Sequence, residues 1–153
     1  MKLTALCLPA LLLAATGVHA QQSTPGCPQL PADSGLAWEH RATGTSDFCR
    51  ALREDGSEAF GLYIADESPF EPHRKNREET GHVGGFEVQW YRAEIATHPD
   101  IAARETLIKL PDGRMAHLWF QAPTGEQLQR AFELTRDLRF GADRQMAGSA
   151  PAP

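Results

Sequence analysis

The chain has 153 residues, 41% of them hydrophobic, with 15 Lys and Arg against 20 Asp and Glu for a formal net charge of −5. That is one domain's worth of residues with enough apolar content for a single core. The acidic balance, with no basic stripe, argues against nucleic acid and anionic membrane surfaces, since both need a basic field.

The N-terminus reads as an address. Met1-Lys2 is a short positive region, residues 3–15 are mostly apolar, and Val18-His19-Ala20 ends on a small residue. This three-part pattern predicts a leader at 1–20, cleaved after Ala20, and hence a periplasmic or secreted protein. The apolar run is shorter than the roughly 20 residues that span a bilayer, so no stable membrane insertion is expected after cleavage. Cys7 follows Leu6 inside the apolar run and Cys27 lies far beyond it, so neither suits a lipid anchor. Losing Lys2 with the leader takes the net charge from −5 to −6.

Two cysteines remain, Cys27 and Cys49, and in an exported chain an even count reads as a disulfide. The closed loop is a little longer than 15 residues, which gives about 3 kcal/mol of stabilisation. It would tie the Pro-rich segment 21–35, with Pro25, Pro28 and Pro31, to a single domain at 36–140. A redox pair would want C-x-x-C spacing, which is missing.

Residues 36–41 read as a short strand. Residues 46–56 admit a short helix capped by Ser46 and Gly56, but 48–53 and 59–65 read better as a hairpin through Asp55-Gly56, because Phe60, Leu62 and Ile64 alternate. Residues 66–85 form a long connection with two prolines, three glycines and eight charged side chains. Connections of this length without regular structure are usually functional or disordered. Phe86, Val88 and Trp90 then alternate with Glu87, Gln89 and Tyr91 in a strand with one buried face. Strands at 107–110 and 117–120 follow, joined by Pro111-Asp112-Gly113-Arg114, a turn by residue type. Trp90, Trp119 and Phe120 are expected in one packed core. Tyr63 and Tyr91 fall out of phase with it and suggest an aromatic patch near Arg92 and Arg104.

Thr124 and Gln127 have the spacing of a capping box. Leu128, Ala131, Phe132, Thr135 and Leu138 form one apolar stripe, and Gly141 is a natural stop. The tail 141–153 is Gly, Ala, Ser and Pro with few large side chains, and is expected to be disordered. The predicted fold is α+β, a mostly antiparallel sheet of about six strands with one C-terminal helix packed on one face. The order of elements is similar to that of small exported domains ending in a helix laid against an antiparallel sheet. A likeness of fold carries no function.

No motif assigns chemistry. The sequence lacks G-x-S-x-G, H-E-x-x-H, a P-loop and G-x-G-x-x-G. The glycines at 81–85 lack the strand-then-helix setting of a phosphate cradle. His73 and His82 share the long connection with Glu71, Glu78 and Glu79, a weak candidate metal set whose spacing matches no standard site. His117 reads as a hydrogen-bonded strand histidine and His98 as a turn residue. Glu87 and Glu105 are candidates to share one face of the sheet, and Glu78-Glu79 to be a solvated charge run. No cofactor is expected.

The function these features support is an exported, non-catalytic binding module, such as an inhibitor, an immunity-type partner or an envelope-assembly protein. Its candidate interaction residues are His73, Arg74, Lys75, Arg77, His82 and Tyr91, and its partner would be an envelope or secreted protein, or a cell-wall glycan. The alternatives are a small periplasmic hydrolase or glycan-active enzyme using carboxylates and a histidine, for which Glu79 and His82 are the residues to test, or a metal or small-ligand carrier.

Overall fold

The computed structural model describes residues 24–93 and 98–141. The expected leader at 1–20 and nearly all of the expected tail lie outside them. Seven strands form one antiparallel sheet: β1 Ala37–Thr43, β2 Ser46–Leu52, β3 Glu58–Ala65, β4 Arg77–Val83, β5 Phe86–Arg92, β6 Ala102–Lys109 and β7 Met115–Ala122. The helix α1 spans Gly125–Arg136. The sheet order is β1-β2-β3-β7-β6-β5-β4, so the chain builds one half, crosses to the far edge, and returns to the middle.

The α+β architecture agrees with the expectation, with seven strands in place of about six. The added strand is β4, inside the connection expected to lack regular structure. Arg77–Val83 carries one large apolar residue, Val83, so no alternation marks it. It forms because Gly84 and Gly85, both at positive φ, turn the chain back onto β5. A short 3-10 turn at Arg74–Asn76 precedes it.

Cross-strand partners share a face, so the register sorts every side chain. Leu62, Leu118 and Thr106 lie opposite one another in turn, on the face the helix covers. On that face Trp90, Phe120 and Phe132 meet with ring centroids 5.1–5.3 Å apart. Trp90, Phe60, Phe120, Leu62 and Leu118 are essentially inaccessible. Each such side chain contributes roughly 1.5–3 kcal/mol by leaving water.

The helix covers only half of this face. Its N-cap Thr124 accepts from the Gln127 N–H at 3.2 Å, as the spacing predicts. The helix ends at Arg136 and does not run on to Gly141. The turn at Asp137 lets Leu138 bury and lets Arg139 pair with Gln29 in both directions, at 2.8 and 3.1 Å. Gln29 belongs to the Pro-rich N-terminal arm, which covers the other half. The predicted disulfide Cys27–Cys49 is formed, with Cα atoms 6.0 Å apart, and fixes the arm to β2 on the helix side. The Trp38 indole N–H donates to the Pro28 carbonyl at 2.7 Å and adds a second tie.

Candidate functional site

With one face closed by helix and arm, the chemistry gathers on the other. One row of residues crosses all seven strands: Arg77, Tyr91, Glu105, Trp119, Gly61, Arg50 and Glu39, each opposite the next. Leu107, His117, Tyr63, Phe48 and Arg41 form the neighbouring row. Trp119 is therefore not in the core with Trp90. It lies on the open face, half-buried. Gly61 makes this possible, because an ideal Cβ there would stand 2.4 Å from the indole. The ring occupies the space that a side chain would have filled.

Around Trp119 the rings touch in series. Phe48 lies 5.7 Å and His117 5.2 Å from it, centroid to centroid. The next ring comes from the connection between β3 and β4. Phe70 stacks on His117 at 4.7 Å with 11° between planes, and meets Tyr91 edge-on at 5.9 Å. Residues 66–76 are thus a strap that crosses the open face from the third strand to the edge. Phe70 is the strap's anchor, and aromatic pairs of this kind are worth about 0.5–1.5 kcal/mol each.

Beneath Phe70, His117 Nε2 donates to Glu105 Oε2 at 3.1 Å. Burial pushes the His117 imidazole below its ordinary value, with the Glu105 hydrogen bond and charge pulling the other way. The carboxylate fixes the tautomer and leaves Nδ1 as an acceptor with no hydrogen-bond partner among the described residues. Such a pair can take up a proton. Among the described residues, neither member has a hydroxyl or thiol hydrogen-bonded to it that could serve as a nucleophile.

The strap delivers charge to the edge of the sheet. His73, Arg74, Lys75 and Arg77 are exposed, and Arg74, Lys75 and Arg77 have no ion pair among the described residues. The acidic residues just after them are neutralised. Glu79 is held by the Arg104 Nε at 2.7 Å, and Glu78 meets Arg104 at 3.6 Å and Arg92 at 3.5 Å. Arg92 and Arg104 lie opposite each other and opposite Phe120, on the helix side, so they do not surround Tyr91 as expected.

Of the sequence candidates, Arg77 and Tyr91 are brought together as cross-strand partners. His73, Arg74 and Lys75 stand on the strap beside them. His82 is exposed further along β4, opposite Glu87, and is separated from Glu79, which the Arg104 pair holds. Glu87 and Glu105 share the open face, but Glu105 lies opposite Tyr91, so the two carboxylates are four residues apart in register. No group of three or more His, Cys, Asp or Glu able to hold a metal occurs among the described residues. The residues the sequence did not single out are Phe48, Phe70 and Gly61. Phe70 alone carried a signal, as the large apolar residue early in a polar stretch.

A separate cavity of about 520 Å³ lies on the helix side, lined by Cys27, Pro28, Ile64, Phe86, Leu110 and Phe140 among others. The cation at its rim, Arg114, is already held by Asp47 at 3.1 Å and Asp112 at 2.9 Å. No helix among the described residues is long and apolar enough to cross a membrane. Comparisons with protein-family models, curated proteins and solved structures find no match to this chain.

Proposed function

We propose that this chain is an exported, non-catalytic binding module that docks an acidic surface of another envelope or secreted protein. The observation that carries the reading is the sorting of charge around the strap. Glu78 and Glu79 are tied down by Arg92 and Arg104, whereas Arg74, Lys75 and Arg77 stand exposed and without an ion pair among the described residues. Free cations beside half-buried aromatics are a composition favoured at protein interfaces. The leader pattern at 1–20 and the Cys27–Cys49 bond support an oxidising, exported setting.

The experiment is a crosslinked pull-down from the protein's own envelope, comparing wild type with the Arg74→Ala, Lys75→Ala, Arg77→Ala triple variant. All three side chains are exposed, so the melting temperature should hold while the captured partner is lost. Equal capture by both proteins would remove the strap cations from the account. The second reading, a small hydrolase, is favoured by one observation, the His117–Glu105 pair with its open Nδ1. Its test is a panel of ester, phosphate and cell-wall substrates, in which His117→Asn should abolish any turnover found.

A further inference from the structure

Among the described residues the sheet ends in two unpaired edges, β1 and β4, and they differ. At β4 the register with β5 shifts between Arg77 and Thr80, a bulge of the kind that blunts an edge against further pairing. At β1 there is no proline and no bulge. It pairs with β2 residue for residue, from Ala37 opposite Leu52 to Thr43 opposite Ser46. Five of its seven side chains are exposed, and no described strand lies along its outer side.

The direction of its backbone groups follows from its turn. Gly44 and Thr45 join β1 to β2, and a two-residue turn closes on a hydrogen-bonded pair, here Thr43 with Ser46. Counting back by twos, Arg41, Glu39 and Ala37 direct their N–H and C=O groups to β2. Ala42, His40 and Trp38 direct theirs outward. A regular strand with three residues facing out in this way is a template for another strand.

We propose that the occupant is a second copy of this chain, paired antiparallel to β1 about a two-fold axis at His40. In that register His40 faces His40 of the second copy and Trp38 faces its Ala42, so outward residues meet outward residues throughout. Glu39 then lies opposite Arg41 of the second copy, and Arg41 opposite its Glu39. These are the non-hydrogen-bonded positions, where Cα atoms come within about 4.5 Å and side chains interact most closely. Sliding the strands by two residues puts Glu39 against Glu39 in one direction and Arg41 against Arg41 in the other. Like charges directly opposite are destabilising, so the charges select the one register that also gives full overlap.

Arg41 is the side chain this contact would satisfy. It has no ion pair among the described residues, whereas Glu39 already meets Arg50 at 3.2 Å. The two-fold axis stands perpendicular to the sheet, so both open faces look the same way. Each strap runs away from β1 toward the far edge, so the two sets of cations would stand on one face at opposite ends of the joined sheet. A multivalent partner long enough to span them would gain avidity. The association itself does not depend on there being such a partner.

Sedimentation velocity over a concentration series tests it. The purified wild type should show a monomer–dimer equilibrium. Arg41→Glu and Glu39→Arg each set like charges opposite one another, and each should weaken the dimer about tenfold or more. Mixed in equal amounts they should associate again, because an all-acidic strand then faces an all-basic one. Ala42→Pro removes an outward N–H without changing charge and should also favour the monomer. Thermal melts verify that each variant is folded. Should Glu39→Arg fail to fold for want of the Arg50 pair, Glu39→Gln replaces it and should weaken the dimer without adding repulsion. A wild type that stays monomeric at every concentration overturns the proposal. So do charge variants that dimerise as the wild type does, or a mixture of folded charge variants that forms no heterodimer.

Discussion

Gly61 decides where the open face has its largest ring. Its neighbour across the ladder is Trp119, whose indole lies where a Cβ would be, at 2.4 Å. Gly61→Ala should therefore destabilise by about 1–3 kcal/mol, as overpacking does, and move the indole outward. Thermal unfolding with tryptophan fluorescence checks both effects. His117 makes a second prediction at this scale. Its folded-state value lies below the ordinary 6.5, chiefly through burial and against the pull of Glu105. The fold therefore favours the neutral imidazole. The stability tied to it is fully present above about pH 6.5 and is lost as pH falls below that, toward the lower folded value. His117→Asn should flatten that part of a stability–pH curve, measured by urea unfolding from pH 8 to 5. An unchanged slope would mean another group titrates there.

Among the elements, the N-terminal arm does the work of a second helix. It covers β1, β2 and β3 on the side that α1 leaves bare, and it is held by the disulfide, the Trp38–Pro28 hydrogen bond and the Gln29–Arg139 bridge. Cys27→Ser with Cys49→Ser should lower the unfolding free energy by about 3 kcal/mol, because the loop closed by a 22-residue separation is no longer constrained. Denaturant unfolding of the double variant reads this directly. The hairpin of β2 and β3 was legible because Asp55-Gly56 and the alternation of Phe60, Leu62 and Ile64 agree. β4 was not, since an exposed edge strand needs no apolar face to form. The phase of β7 was ambiguous for another reason. Leu118 and Phe120 on one side and His117 and Trp119 on the other are both large sets. The choice is made by Gly61, a residue far away in sequence that only register brings opposite Trp119.

For the molecule as a whole, the two faces of the sheet differ. One face is closed and carries the core. The other carries a ring series from Phe48 to Tyr91, crossed by a strap that Phe70 pins and that leads to cations with no ion pair among the described residues. The candidate residues of the strap were legible as a polar stretch, but their relation to the aromatic face was not, because the crossing depends on sheet order. The proposed docking of an acidic partner rests on these cations, set beside the aromatic face. The most direct measurement is the amount of crosslinked partner captured from the native envelope as salt is raised, for wild type and for the Arg74, Lys75, Arg77 triple alanine variant. Capture by the wild type should fall as salt screens the contact, and the variant should capture little at any salt. Equal, salt-insensitive capture by both would contradict the proposed docking.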